Sequence, residues 1–236
     1  MLSDSRSEIN NSNIKDKLRF YVHLIESPSS KDILNDRLEG KLLTEGLKLL
    51  GIPFRYYLAI NNETFLEALK EKLEQDIKGT VIPILHLSSH GDSSGIELSD
   101  QSFIKWHELA PHLRSINDRI KKYLLICIST CNGFQGVKMA QSFSDESPFF
   151  AIIGPSKDIT WAEAAVGFLV FYFQLLVKHQ TVIQALEAMK AASGFPHFDS
   201  IRADDARTQW LGEMAMSVLE SLNIPLNNND KEKNHR

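Results

Sequence analysis

Cysteine is scarce in this chain, with only two among 236 residues, at positions 127 and 131. A count this low excludes a disulfide scaffold and favours a reducing location, so we expect a cytoplasmic protein. An excess of positive charge is also missing, because 26 Lys and Arg are set against 30 Asp and Glu, for a net charge of −4. We therefore expect no nucleic-acid partner.

Long apolar runs are missing as well. The most hydrophobic stretch, residues 162–177, contains Glu163 and Gln174 and falls short of the roughly 20 residues that a spanning helix needs. It predicts a buried core helix and no membrane partner. The first 13 residues lack the apolar segment of a secretory signal. No Cys and His spacing typical of a zinc site and no glycine-rich phosphate loop occur, so we expect no cofactor and no metal.

Strand-like and helix-like segments alternate along the chain, which predicts a three-layer α/β/α sandwich with a mostly parallel central sheet. We predict a flexible arm over 1–16, a single domain over 17–222 and a flexible tail over 223–236. The predicted strands are 18–25, 54–60, 81–88, a segment ending at 129, and 149–153. The predicted helices are 31–50, one from Asn61 or Asn62 to Gly79, 106–121, one starting near 135, 160–178, 181–193 and 204–222. A loop or short hairpin is expected over 95–104.

Two of the predicted strands end in chemically reactive residues. The apolar segment from Val81 is followed by His90 and Gly91, and the run from Tyr123 ends in Ser129-Thr130-Cys131. Ligand sites in parallel sheets lie just beyond the carboxyl ends of the strands. Because adjacent strands are about 4.8 Å apart, side chains at two such ends can approach one another.

A histidine beside a cysteine is the pairing that nucleophilic thiol catalysis needs. A thiol becomes a strong nucleophile when a base lies near it, and the ordinary pKa of histidine suits that task. Gly91 leaves room for a substrate backbone, and its N–H, with that of Cys131, can stabilise an oxyanion. Taken singly, a buried cysteine is usually inert and a histidine before glycine is usually a turn residue. We interpret Cys127 as a core residue and His86 as a deeper structural one.

These two strand ends resemble those of the caspase-like cysteine peptidases. The matching segments are Leu87-Ser-Ser-His90-Gly91 and Ile128-Ser-Thr-Cys131-Asn-Gly133. The segments around Phe171-Tyr172-Phe173 and 181–189 are similar to the bacterial CHAT-type branch, which is related to separase and gingipain. The resemblance implies His90 as the base, Cys131 as the nucleophile, and the N–H groups of Gly91 and Cys131 as oxyanion donors.

The resemblance also implies a substrate-binding residue. In related peptidases an acidic residue after the next strand often binds a basic side chain of the substrate, and Asp158 occupies that place here. Two features depart from the family pattern. Thr130 precedes the cysteine where many relatives have alanine, and Pro83 interrupts the histidine strand.

The favoured interpretation is a bacterial cysteine endopeptidase that cleaves a specific protein substrate through a thiol acyl-enzyme. We expect a separate regulatory or activating protein to control it. The alternative from another class is a catalytically silent caspase-like module that binds proteins through its loops. A flavodoxin-like signalling or nucleotide-binding domain is a third possibility, although its phosphate loops are missing.

Overall fold

The computed structural model describes residues 19–77 and 81–221, and a single eight-stranded sheet organises them. The strand order is β2-β1-β3-β6-β7-β8, with β4 and β5 forming an extension of β3. All neighbours in the main path are parallel except β7 and β8. The predicted arm over 1–16, the tail over 223–236 and the helix stop at Gly79 lie outside the described residues.

The elements follow one another in the alternating order that the sequence predicts. The strands are β1 (Arg19–Ser27), β2 (Phe54–Leu58), β3 (Val81–Asp92), β4 (Gly95–Glu97), β5 (Phe103–Lys105), β6 (Leu125–Ser129), β7 (Ala151–Pro155) and β8 (Phe198–Arg202). The helices are α1 (Ser30–Leu34), α2 (Glu39–Leu49), α3 (Asn62–Leu66), α4 (Leu73–Asp76), α5 (Trp106–Arg119), α6 (Trp161–Tyr172), α7 (Val182–Ser193) and α8 (Ala203–Ser221). A π-helical turn, Glu67–Lys72, joins α3 to α4, another, Phe173–Val177, extends α6, and Gly133–Ala140 is a 3₁₀ helix.

Each face of the sheet buries its own hydrophobic cluster, which confirms the three-layer α/β/α sandwich. On one face β-strand side chains such as Leu85 and Ile126 pack against α3, α4 and α5. On the other face Ile84 and Cys127 pack against α2, α6 and α7. Because strand side chains alternate between faces, residues two apart in β3 or β6 share a face. In the described part of the chain, none of the helices is both long enough and apolar enough to cross a membrane.

The single helix predicted over 31–50 is wrong, because the structure has two helices there. The chain breaks after α1 at Asp36, whose φ of 52° is left-handed. Aspartate and asparagine tolerate that conformation better than most residues, and Asn35-Asp36 supplies both. The leucine spacing continues across the break and conceals it. The interruption redirects the chain so that α2 begins at Glu39, close to the carboxyl edge of the sheet.

Further differences concern the type and the bounds of elements. β3 continues to Asp92, so His90 and Gly91 lie within this strand and not beyond its end. The helix expected near residue 135 is a 3₁₀ helix, and β7 starts two residues later than predicted. The antiparallel edge strand β8 was not predicted, since its sequence, Phe-Asp-Ser-Ile-Arg, has no apolar run. The hairpin expected over 95–104 is confirmed as β4 and β5. Pro83 lies at the start of β3, where pairing with β6 has not yet begun.

Candidate active site

His90 and Cys131 line the same cleft at the carboxyl edge of the sheet. Strands β3 and β6 are parallel neighbours, and their last registered pair is Ser88 with Ser129. His90 and Cys131 each follow two residues later, so they face the same side of the sheet as that pair. The cleft has a volume of about 770 Å³, and its walls come from the α1–α2 connection, α2 and the start of α6. The structure therefore brings the two predicted side chains together.

A buried carboxylate, Asp32, holds the imidazole of His90. The Nε2 atom of His90 lies 2.7 Å from Oδ2 of Asp32. The Asp32 side chain is 4% exposed, whereas that of His90 is 43% exposed and opens into the cleft. The ring of Trp161 packs edge-on against the imidazole, with 5.1 Å between centroids. The histidine is thus fixed by a carboxylate and an aromatic wall while one side of it stays accessible.

The environment of Asp32 keeps its carboxylate ionised. Burial raises its pKa, but hydrogen bonds from the Ser29 hydroxyl and from His90, together with the charge of Arg37, outweigh burial and lower the pKa below its usual value. The Arg37 guanidinium lies 3.1 Å from Oδ1. Ser29 also accepts a hydrogen bond from the Asp32 backbone N–H, as the N-cap of α1. Asp32 is therefore a preformed anionic partner for an imidazolium.

The carboxylate, imidazole and thiol together have the composition of an activated nucleophile. Asp32 occupies Nε2, which leaves Nδ1 as the ring nitrogen that can take a proton from the thiol. The Cys131 thiol is partly exposed, and its Sγ lies 3.8 Å from the carbonyl oxygen of Ile159, to which it donates a weak hydrogen bond. Among the described residues, the thiol is hydrogen-bonded to Ile159 and not to the imidazole.

Of the backbone N–H groups of Cys131, Asn132 and Gly133, that of Cys131 is available to a ligand. Asn132 adopts a left-handed conformation with φ of 56°, and its N–H donates to the Lys157 carbonyl. The N–H of Gly133 donates to the Thr130 carbonyl. No backbone carbonyl of the described residues accepts from the N–H of Cys131, outside the regular strands and helices. Its role as an oxyanion donor stays a prediction.

Gly91, the second predicted oxyanion donor, lies in a crowded part of β3. A side chain there would place its Cβ 2.5 Å from the Gly95 carbonyl oxygen and 2.6 Å from Oγ1 of Thr130. The glycine is therefore required for the approach of β4 to β3. The Thr130 side chain packs against this glycine and contributes to the crowding.

Asp158 does not line the cleft that contains His90 and Cys131. It is exposed on the connection between β7 and α6, and it accepts a hydrogen bond of 2.8 Å from the side-chain amide of Asn132. The residue is thus tied to the loop that follows Cys131. A role for Asp158 in reading substrate charge remains a prediction.

A second carboxyl group, Glu39, lies one strand rung beneath the two reactive residues. Its Oε1 is hydrogen-bonded to the Ser129 hydroxyl at 2.7 Å and its Oε2 to the Ser88 hydroxyl at 2.6 Å. The side chain is 0% exposed. Burial, opposed by these two hydrogen bonds, raises the pKa of Glu39 to about 8. The group is therefore a neutral acid at pH 7.

His86 and Cys127, two residues further from the cleft along β3 and β6, are buried and unreactive. This agrees with their interpretation as structural and core residues. The two residues are a registered pair, and both are fully buried. His86 Nδ1 lies 2.8 Å from the Tyr172 hydroxyl, and burial lowers the histidine pKa to about 3. Burial raises the pKa of the Cys127 thiol to about 12. The described residues contain no group of three His, Cys, Asp or Glu that could hold a metal ion.

Sequence reasoning missed Asp32 and Glu39. The sequence contained one signal for Asp32, which follows the carboxyl end of β1. Because β1 is a parallel neighbour of β3, Asp32 lies at the same edge of the sheet as His90. Glu39 gave no such signal, since it lies within the segment predicted as one continuous helix.

Comparisons with known proteins support the fold. No protein-family model matches the sequence, and no curated protein matches it. The solved structure of caspase-1 from Spodoptera frugiperda is similar, with a TM-score of 0.52 and 14% sequence identity over 75% of this chain and 77% of that chain. The chain therefore has a caspase-like fold. Its assignment to the CHAT-type branch stays a prediction.

Proposed function

We propose that this chain is a cysteine endopeptidase in which Cys131 is the nucleophile, His90 the base and Asp32 the group that orients the base. The observation that supports this most is the hydrogen bond between His90 and the buried, ionised Asp32, in a cleft that also contains Cys131. A surface histidine needs no such partner, whereas a catalytic imidazole gains both orientation and stabilisation of its charged form from one. The caspase-like fold supports the same reaction.

The acylation half of the proposed reaction runs as follows. Nδ1 of His90 takes the thiol proton of Cys131, and the thiolate forms a bond to the carbonyl carbon of the scissile peptide. The negative charge moves to the carbonyl oxygen, where the N–H groups of Cys131 and Gly91 donate to it. The C–N bond then breaks, and the imidazolium gives its proton to the departing amine.

Deacylation uses the same histidine. His90 takes a proton from a water molecule, and the resulting hydroxide attacks the thioester carbonyl. The C–S bond breaks, and the proton returns to the sulfur, which restores the thiol. No metal or cofactor takes part in these steps. The substrate is a protein with an extended segment that enters the cleft, and a separate regulatory protein in the cytoplasm controls the enzyme.

The pH dependence of Cys131 alkylation by iodoacetamide tests the proposal. We expect rapid alkylation at pH 6–7 in the wild type and in Cys127→Ala, and slow alkylation in His90→Ala. Cys127 is a matched control because burial raises its thiol pKa to about 12. Equal rates in wild type and His90→Ala would refute the activated dyad. A library of unstructured peptides then identifies the bond that is cut.

The hydrogen bond from Cys131 to the Ile159 carbonyl favours a second candidate, a catalytically silent protein-binding module. In that case the thiol keeps its hydrogen bond to Ile159, and the cleft binds a protein segment without cutting it. The same alkylation series separates the two candidates. A slow rate that is indifferent to His90, together with tight binding of an uncleaved partner, would establish the module.

A further inference from the structure

Glu39 connects the two strands that carry His90 and Cys131. One oxygen of its carboxyl group is hydrogen-bonded to the Ser129 hydroxyl of β6, and the other to the Ser88 hydroxyl of β3. These serines form the last registered pair between the two strands. At about 3.3 Å per residue, the rung lies about 7 Å below the reactive pair.

The carboxyl group is costly for the fold to retain. Its side chain is fully buried, no cation lies beside it among the described residues, and the nearby carboxyl of Glu26 raises its pKa further. The Nε2 atom of His86 lies 3.8 Å away. His86 is neutral, because burial lowers its pKa to about 3. A buried carboxyl without a cation is usually less favourable than a well-packed apolar side chain of similar size. A role other than stability therefore best explains an acid at this position.

The start of α2 holds Glu39 in place. The N–H of the next residue, Gly40, donates to Oε1 of Glu26 at 2.8 Å, and the Tyr56 hydroxyl donates to Oε2 of Glu26 at 2.7 Å. Gly40 permits this approach, since a Cβ there would lie 2.6 Å from both Glu26 and Tyr56. The backbone that carries Glu39 is therefore anchored to β1 and β2, independently of the two serines.

The registered pairing of β3 with β6 ends before the functional residues. Beyond Ser88, β3 turns to pair with β4, and beyond Ser129, β6 enters the loop at Asn132. His90 and Cys131 therefore lie on segments that no longer pair with each other as strands. The carboxyl bridge is a cross-strand connection in the rung directly beneath them.

We propose that Glu39 is a positioning residue that acts through Ser88 and Ser129 to set the separation between the His90 imidazole and the Cys131 thiol. The inference rests on the proposed function, because it concerns the geometry of that dyad. Small displacements of reacting groups are costly, and about 1 Å can reduce a rate by about 10²-fold. A rigid bridge one rung below is well placed to prevent such a displacement.

Two substitutions at Glu39 test this role. Glu39→Gln keeps the bridge, because the amide oxygen accepts from one serine and the amide nitrogen donates to the other. Glu39→Leu has similar volume and removes the bridge. Glu213→Leu, at an exposed position of α8 that does not line the cleft, is the matched control. Alkylation of Cys131 is measured from pH 5 to 10, with thermal unfolding to confirm that each variant is folded.

We expect Glu39→Gln and Glu213→Leu to alkylate at rates close to wild type. We expect Glu39→Leu to be slower by about tenfold or more at pH 6–7, yet equal to wild type near pH 10. At that pH the thiol ionises without a base, since a free cysteine has a pKa of about 8.5. A merely structural role would not produce this convergence at high pH.

The outcomes separate this inference from the proposed function. Equal rates in wild type and Glu39→Leu at pH 6–7, while His90→Ala is slow, overturn the positioning role alone. Equal rates in wild type and His90→Ala overturn the proposed function and, with it, the positioning role. Should Glu39→Leu fail to fold, Ser129→Ala removes one arm of the bridge, and its rate is interpreted in the same way.

Discussion

The burial of Glu39 leads to a prediction about the pH dependence of folding stability, which can be tested without enzymatic activity. Replacing it with glutamine removes a titrating group and keeps the hydrogen bonds to both serines. Burial raises the pKa of Glu39 from 4.5 to about 8, so the folded protein holds this proton more tightly than the unfolded chain does. Its contribution to stability is complete below about pH 4.5 and is lost as the pH rises through about 8.

The size of this loss of folding stability follows from the difference between the pKa values of Glu39 in the folded and unfolded chains. Each pKa unit corresponds to about 1.4 kcal/mol, so the wild type loses about 5 kcal/mol of stability from Glu39 between pH 4.5 and 8. This is a large fraction of the 5–15 kcal/mol that is typical of a folded domain. Glutamine carries no such dependence. The stability of Glu39→Gln relative to wild type should therefore rise by about 1.4 kcal/mol for each pH unit in this range.

Urea unfolding, followed by tryptophan fluorescence at pH 5, 6, 7 and 8, measures this difference directly. Glu45→Gln serves as the control, because Glu45 is an exposed residue of the same helix, and its difference from wild type should be flat across the series. A flat difference for Glu39→Gln as well would refute the reasoning. It would mean that Glu39 is ionised in the folded protein at neutral pH and is stabilised by its surroundings.

Other predictions concern the cleft. Asp32→Asn leaves the shape of the site unchanged but removes the charge that orients and stabilises the imidazole. The rate of Cys131 alkylation should therefore fall by about 10²-fold at pH 6–7 and stay unchanged near pH 10. Gly91→Ala should destabilise the fold by about 1–3 kcal/mol in urea unfolding, because its Cβ meets the backbone of Gly95, whereas Gly212→Ala, with open space around it, should be neutral or stabilising. Asp158→Asn should reduce cleavage after Arg or Lys in a peptide library without changing alkylation of Cys131; unchanged cleavage preferences would remove Asp158 from substrate binding.

The parts of the site that lie on buried strands could be predicted from the sequence. An apolar run followed by small residues marks the carboxyl end of a parallel strand, and the ligand site of such sheets lies beyond that end. His90 and Cys131 were found in this way, and the structure places both in one cleft. Burial of Cys127 and His86 followed from the same period of two along β3 and β6.

The position of Glu39 could not be predicted, because it depends on a break that helical periodicity conceals. Leucine spacing runs through residues 34–50 and indicates one helix. The left-handed residue Asp36 divides it, and a single such residue leaves almost no trace in a hydrophobic pattern. Edge strand β8 was missed for a related reason, since its pairing with β7 depends on backbone contacts rather than on an apolar run.

That break places two carboxyl groups of opposite protonation state around the same pair of strands. Asp32, in α1, lies beside Arg37, Ser29 and His90, and these partners lower its pKa despite burial. Glu39, at the start of α2, has two hydroxyl partners and no cation beside it among the described residues, and burial raises its pKa to about 8. An ionised carboxylate can stabilise an imidazolium, whereas a neutral acid can bridge two strands without adding charge beneath a thiolate. The environments of the two groups therefore match the roles proposed for them, one electrostatic and the other geometric.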